Sequence, residues 1–302
     1  MLSPEVRYFL AVASTGSLSA ASQQLFVAVS AISRQIQRLE ADIGAPLFER
    51  HARGMILNDA GRIFEGHVRR SLLGMEQAKA EIKGLKAVRR TALRVACTDG
   101  MAFSLLPGLC SRFRQLNPAV SFNLTVGSVE EVADILRQGE CDVAFQFSLH
   151  PERGVEVLGS WPAPVLMVMR KDHPLAEKSI RLQDLSAWPM ALPDRATTVR
   201  QLFDLSCQMN GTFIEPVLTC NNFSTLYAFL QQNPLAITLC SPFTVLFQYA
   251  GLDLALRSLG IDQLTQRTLQ VQTVTGRQRS AALNLFLAYA CEELGKHSGN
   301  GR

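Results

Sequence analysis

Catalytic signatures, metal-ligand spacings and long apolar runs are all missing from this chain of 302 residues. Its five histidines (51, 67, 150, 173 and 297) are scattered. No G-x-S-x-G, H-E-x-x-H or G-x-x-x-x-G-K stretch and no nucleophile–base spacing is present, which argues against an enzyme. The pairs Glu130-Glu131 and Glu292-Glu293 are adjacent, so each points its carboxylates to different helix faces and reads as solvated. Seven cysteines at 97, 110, 141, 207, 220, 240 and 291 form no C-x-x-C and no short spacing to histidine. A disulfide framework and a zinc site are excluded, and a reducing cytoplasm is expected. A redox role for Cys97 or Cys207 stays open, although nothing near either in sequence lowers a thiol pKa. No run approaches the roughly 20 apolar residues of a membrane helix. Met1-Leu2-Ser3-Pro4-Glu5 lacks the basic, apolar start of a signal peptide. Membrane and secreted locations are not expected, and no residue pattern calls for a cofactor.

Hydrophobic residues make up 47% and charged ones 19%, enough to bury the cores of two or three domains. Charge is uneven: residues 1–90 carry 13 Lys+Arg against 8 Asp+Glu, the remainder 17 against 18. A basic segment on a near-neutral body points to a polyanion contact confined to the N-terminus. A solvated helix face would give the same balance.

Ser3-Pro4 reads as a helix start, Val6, Phe9, Leu10, Val12 and Ala13 as its apolar stripe, and Gly16 as its end. Ser17 caps a second helix whose inner face is Leu18, Ala21 and Leu25. A third runs from near Ser30 to about Asp42, burying Ile32, Ile36 and Leu39 and leaving Ser33, Arg34, Gln37 and Arg38 outside. A tight turn between two short helices, the second presenting hydroxyl, amide and guanidinium groups, suits helix-turn-helix DNA reading. Arginine forks onto guanine, glutamine pairs with adenine, and serine donates to phosphate. Arg50-His51-Ala52-Arg53-Gly54 reads as the tip of a β-wing, whose Arg50 and Arg53 suit phosphates and a narrow minor groove. A three-helix packing module with surface charges is the alternative.

The order Phe9-x-x-Val12-Ala13, Gly16-Ser17-Leu18-Ser19-Ala20-Ala21, Ser33-Arg34-Gln35-Ile36, Leu39-Glu40, Gly44, Leu47-Phe48-x-Arg50 and Leu57-x-x-Ala60-Gly61 resembles the winged helix-turn-helix of LysR-type transcriptional regulators. The resemblance implies DNA contacts from Ser17, Ala28, Val29, Ser30, Ser33, Arg34, Gln37, Arg38, Arg50 and Arg53. The chain departs from the pattern at two places. Ala28-Val29-Ser30 replaces the usual Ser-Gln-Pro, so Val29 can meet only a thymine methyl, and an A·T-tolerant operator is expected there. Asn58 replaces a threonine and remains a competent helix cap.

From Asn58-Asp59 to about Arg90 there is no proline, and Ile63, Val68, Leu72, Met75, Ile82 and Leu85 form a stripe along roughly 42 Å of helix. Such a stripe suits a second copy of itself; lying on the chain's own C-terminal domain is the alternative. In the family this is the linker helix that dimerises two DNA-binding domains. The expected domains are 1–58, a winged helix-turn-helix; 59–90, the linker helix; and 91–302, an effector-binding domain. The resemblance implies a homodimer assembling as a dimer of dimers on double-stranded promoter DNA, with RNA polymerase a further candidate partner.

After Arg90 short apolar strands alternate with helices: strand 93–97, helix 103–116, strand 120–126, helix 129–138 and strand 142–145. This order implies a mainly parallel sheet with helices on both faces. Val165–Met169 opens a second block, in which strands 190–192, 217–220 and 236–239 alternate with helices 198–209 and 223–232. A strand near 267–274 and a helix 280–296 close the chain. Leu105-Leu106-Pro107-x-Leu109, Phe113-x-x-x-x-Pro118, Gly139-x-x-Asp142-Val143-Ala144 and Asp172-His173-Pro174-Leu175 resemble the family's α/β effector domain, which is similar to a two-lobed periplasmic binding protein. Lobe I would hold about 91–161 and 267–302, and lobe II about 162–266.

Open α/β sheets bind ligands beyond the carboxyl ends of their strands. Those ends offer Thr98, Asp99, Gly100, Ser128, Gln146, Thr197, Thr198 and Asn222, with Trp161 at the crossover, as an effector site. Each could equally be a helix cap, and Trp161 and Phe147 are as suited to a core as to a stacking wall. Asp99 disfavours an anion by repulsion, and only Arg195 and Arg200 lie near the matched positions, so a neutral or cationic metabolite is the expected small-molecule effector. The leading reading is a ligand-responsive DNA-binding regulator; a scavenging protein with a vestigial helix-turn-helix is the alternative.

Overall fold

The computed structural model describes residues 3–51, 54–84, 91–149, 154–248, 251–276 and 278–298. The chain divides into two units, Met1–Ala87 and Val88–Arg302.

In the first unit Pro4 opens α1 (Pro4–Thr15), and Gly16, at φ 65°, ends it by donating its N–H to Val12 O. Ser17 caps α2 (Leu18–Leu25) by accepting from Ala20 N, and α3 (Val29–Ile43) ends on left-handed Gly44. Phe9, Val12, Ala21, Ile32, Ile36 and Leu47 are buried together as the core of this unit. Strands β1 (Phe48–His51) and β2 (Gly54–Leu57) pair antiparallel as the wing. Glu40 fixes the wing's base by accepting from Leu47 N at 2.7 Å. Gly54 has φ 144°, and a Cβ there would collide with Gly16 O, the same carbonyl that accepts from Met55 N.

Asn58 does cap the next helix, α4 (Asp59–Gly84), by accepting from Gly61 N at 2.8 Å. Its first turns are covered by the helix-turn-helix core: Phe64 packs edge-on against Phe9 at 5.0 Å, and Val68 is buried. Farther out the expected stripe is open, with Ile63 and Met75 exposed and Leu72 half-buried. The Ile82 side chain and residue Leu85 lie outside the described part.

The second unit begins with β3 (Thr91–Thr98), followed by α5 (Asp99–Ala102), α6 (Leu105–Leu116), β4 (Val120–Gly127), α7 (Val129–Arg137), β5 (Val143–Ser148), β6 (Val155–Pro162) and β7 (Leu166–Arg170). A 3-10 turn over Leu182–Ala187 leads to β8 (Ala191–Pro193), α8 (Thr198–Met209), β9 (Leu218–Cys220), α9 (Phe223–Gln232), β10 (Thr238–Cys240), α10 (Pro242–Val245), β11 (Leu254–Arg257), β12 (Thr268–Val274) and α11 (Ala281–Ser298).

The helix expected over 103–116 is α6, which starts two residues later at Leu105, after the short α5 that the sequence reading did not include. Pro107 cannot follow a continuous helix because its ring would clash with the carbonyl four residues back, so the helix restarts at Leu105 and puts Pro107 in a first turn. Five strands in the order β4-β3-β5-β12-β6 form the sheet of lobe I. The expected parallel arrangement holds for β3, β4 and β5, and β12 is the one reversed strand, antiparallel to β5 and to β6 on either side of it. One face packs on α6 and α11 through Leu105, Leu109, Phe113, Phe286 and Leu294, the other on α7 through Val132 and Leu136. Asp142 ties the β3 end of this sheet, accepting from Arg94 N at 2.8 Å and from the Arg94 guanidinium at 2.7 Å.

Lobe II holds β10-β7-β11, with β8-β9 joined through a bridge from Met190 to Ile237. Its cores gather Met167, Leu185, Leu192, Phe203, Ile237 and Leu239 on one side, and Val168, Phe223, Leu230 and Leu254 on the other. The lobe boundary drawn from the sequence needs one correction. Phe243, Leu246 and Phe247 pack on the lobe I core, and Phe247 N donates to Ser104 Oγ at 3.0 Å, so the segment around α10 sits on lobe I.

Candidate functional site

On α3, positions 30, 34, 37 and 38 recur at helical spacing on the side opposite Ile32, Ile36 and Leu39. Ser30, Arg34, Gln37 and Arg38 are exposed and Ser33 is half-buried, so the surface holds guanidinium, amide and hydroxyl groups clear of the core. Ala28 and Val29, at the start of this helix, are also exposed, Val29 to 40%. Ser17 is half-buried and spends its hydroxyl on the α2 cap. Arg50 sits on β1 opposite Met55, and Arg53 lies outside the described residues. Sequence reasoning passed over Phe26. It occupies the turn before α3 at φ 56°, a left-handed conformation rare for a bulky residue, and its ring is 94% exposed.

The second candidate site is a cleft of about 750 Å³ where the strand ends of the two lobes meet. Thr98, Asp99, Gly100, Ser128, Thr197, Thr198 and Asn222 all line it. Several also serve as helix caps. Ser128 and Glu131 cap α7 reciprocally, Thr197 accepts from Arg200 N, and Asn222 Oδ1 accepts from Thr225 N.

Two expected residues lie elsewhere. Gln146 is fully buried in β5, whose residues are covered on both faces, and donates its amide to Gln272 Oε1 at 2.6 Å. Trp161 is not at a crossover but within β6, opposite Leu269, with its ring across Gly159 and against the lobe I core. Phe147 does line the cleft, as does Phe223.

Asp99 reaches across from lobe I to lobe II. Its Oδ1 accepts from Asn222 Nδ2 at 2.8 Å and its Oδ2 from Phe223 N at 2.6 Å, so both oxygens are engaged within the protein. Burial raises its pKa above the usual carboxylate range, against the lowering effect of these two bonds. Beside this contact Phe103 packs edge-on against Phe223 at 5.0 Å. The repulsion expected from Asp99 is therefore largely answered by donors already in place.

The arginine facing the cleft is Arg267, which sequence reasoning missed. It is fully buried, with its guanidinium 4.1 Å from the centre of the Phe147 ring. Its Nε donates to Ala163 O at 3.1 Å and its Nη1 to Thr198 Oγ1 at 3.2 Å. Arg200 is also buried but turns to Asp204 at 2.7 Å and to Pro193 O; Arg195 is exposed.

Burial pushes the Cys97 and Cys240 thiols up to about 12 and Cys207 up to about 11, which leaves essentially no thiolate at neutral pH. A redox role for Cys97 or Cys207 loses its chemical basis. Among the described residues no group of His, Cys, Asp and Glu is placed to hold a metal ion, and no helix is long and apolar enough to cross a membrane.

Comparison with known proteins matches residues 4–62 to the bacterial regulatory helix-turn-helix proteins of the lysR family and residues 86–295 to the LysR substrate binding domain. The chain is 27% identical over 293 residues to the uncharacterized HTH-type transcriptional regulator YvbU of Bacillus subtilis, covering 96% of this chain and 98% of that one. It is 30% identical over 210 residues to the transcriptional dual regulator GltC of the same organism, covering 68% and 70%. A solved structure of full-length CbnR complexed with its target DNA is similar in fold, with TM-score 0.57 and 20% identity over 97% of this chain and 99% of that one.

Proposed function

The chain belongs to the LysR family of bacterial regulatory helix-turn-helix proteins, a transcriptional regulator with a DNA-binding and an effector-binding domain, and from that premise we propose how its residues divide the work. The exposed face of α3 enters the major groove, with Ser30, Ser33, Arg34, Gln37 and Arg38 toward bases and phosphates. Ala28 and Val29 approach the base edges apolarly, which makes the operator A·T-tolerant at that step. Arg50 and Arg53 of the wing take phosphates or the adjacent minor groove, and Ser17 with the start of α2 faces the backbone.

The open part of the α4 stripe, Ile63 and Met75, pairs with a second copy. The resulting homodimer binds a dyad-symmetric site with half-sites about one DNA turn apart and assembles further as a dimer of dimers. The cleft holds a small-molecule effector whose binding biases the equilibrium between two arrangements of the assembly and so its promoter contacts, with RNA polymerase as the downstream partner. The protein works in the cytoplasm and catalyses no reaction.

The observation that carries the DNA reading is the division of α3 into a buried Ile32–Ile36–Leu39 side and an opposite side of free polar and basic groups. Fluorescence anisotropy with promoter fragments at increasing salt tests it. Specific binding should weaken linearly in log–log form, and Arg34→Ala should reduce the slope by about 1. Equal affinity for the promoter and a scrambled duplex, with no effect of Arg34→Ala, would leave only the scavenger reading.

A further inference from the structure

We propose that Phe26 reads DNA: its ring extends the apolar start of α3 and meets the 5-methyl group of a thymine in the major groove. The inference rests on the reading of α3 as the recognition helix, and it adds a specificity-determining residue that lies outside that helix.

The turn between α2 and α3 holds together without the ring. Phe26 closes α2 at φ 56° and ψ 43°, donating its N–H to Ser22 O. Val27 N donates to the same carbonyl at 3.2 Å, and Ser22 Oγ donates in return to Val27 O. Glycine or asparagine would take this left-handed place at less cost. The flanking Leu25 and Val27 pack against the core of the unit, whereas Phe26 is 94% exposed. Phenylalanine is therefore disfavoured here twice, by its backbone and by its contact with water. An outlier of this kind, held in place by its surroundings, points to a role in binding.

A lone exposed apolar side chain is ordinary, but Phe26 is not alone. Ala28 occupies the capping position of α3 with no side-chain bond to offer, and Val29 beside it is 40% exposed. Where a hydroxyl or amide would normally cap the helix, α3 presents an apolar tip. The surroundings indicate what that tip meets. No Asp or Glu occurs between Glu5 and Glu40, and Arg34 and Arg38 stand exposed on α3. A surface with cations and no carboxylates suits a polyanion. In a DNA duplex the apolar feature of the major groove is the thymine methyl, which side chains such as Phe, Ala and Thr meet by contact alone. The N-terminal residues of a recognition helix are those that reach base edges, which puts this tip rather than the far end of α3 against the bases.

The test uses the full-length protein and an operator duplex recovered by selection from a random-sequence pool, then resynthesised with deoxyuridine replacing one thymine at a time. Fluorescence anisotropy should find a thymine in each half-site whose methyl strengthens parent binding about fourfold, the worth of one buried methyl group. Phe26→Asn should bind the thymine and uracil duplexes equally at that position, and the thymine duplex about fourfold more weakly than the parent does. Phe26→Leu, which stays apolar, should keep part of the preference. The salt slope of Phe26→Asn should match the parent's because no charge is lost, while Arg34→Ala should lower it by about 1. Phe26→Asn should not lower the midpoint of thermal unfolding, so its weaker binding would not be a folding defect. Unchanged affinity of Phe26→Asn would overturn the proposal. So would a loss of the same size on every duplex of the scan, which would place the ring on the sugar–phosphate backbone. With Arg34→Ala still lowering the slope in either case, the DNA reading would stand without Phe26. Failure of the selection to enrich any duplex would sink that reading and this inference together.

Discussion

Asp99→Asn should loosen the junction of the two lobes, because asparagine cannot replace the carboxylate in its hydrogen bonds. Its oxygen can still accept from Phe223 N, but its NH2 then faces the NH2 of Asn222. Turning Asn222 over does not help, since its Oδ1 caps α9 through Thr225 N at 3.1 Å. One of three bonds must be lost: the interlobe amide contact, the Phe223 bond or the cap. Hydrogen bonds to a charged group contribute about 1.5–3 kcal/mol, and Asp99 is only half-buried, so about 2 kcal/mol is expected. For a unit of this size that lowers the midpoint of thermal unfolding by about 4–8 °C. Calorimetry would read the loss, and small-angle scattering of the unliganded protein would read any widening. In a cycle with Asn222→Ala the two substitutions should be coupled rather than additive. A midpoint within about 1 °C of the parent, or strict additivity, would show that the contact carries no strength.

Three further outcomes follow from the geometry. Phe26→Asn should stabilise the helix-turn-helix by about 1 kcal/mol in denaturant unfolding, because asparagine tolerates the left-handed turn and the exposed ring gives up no burial; a loss of stability would contradict this. Cys97 and Cys240, with thiols near 12, hold on the order of one part in ten thousand thiolate at pH 8 and should resist iodoacetamide until the chain unfolds; rapid native labelling of either would refute the burial argument. His173 is held neutral, its Nε2 donating to Leu235 O and its Nδ1 accepting from Leu175 N, and burial lowers its pKa. Its contribution is complete above the ordinary histidine value near 6.5 and is lost as pH falls from there toward the lowered folded pKa. The midpoint of His173→Gln should accordingly vary less than that of the parent across this window.

Elements with a local signal were legible in the sequence. Thr197 and Asn222 mark the starts of α8 and α9 because a capping side chain bonds a backbone N–H only three residues on. The polar face of α3 follows from helical spacing alone. What escaped depends on partners far along the chain. Strand β6 carries no strong alternation and pairs with β12 more than a hundred residues later, so nothing local to Trp161 distinguishes a strand from a crossover. Strand β5 is covered on both faces, which removes the periodicity that would have turned Gln146 inward. Arg267 stands at a strand edge without a motif, and its significance comes from Phe147, Ala163 and Thr198, brought to it by the topology of two lobes.

The strap around α10 limits how the sensor domain can respond. Phe243, Leu246 and Phe247 are seated on lobe I, while Val245 packs with Val168 and Leu254 of lobe II. Thr244 from the same turn lines the cleft. A wide, jaw-like gape would have to peel this strap from one side or the other. Any change of the cleft that leaves both packings intact is therefore confined to a small relative movement of the lobes.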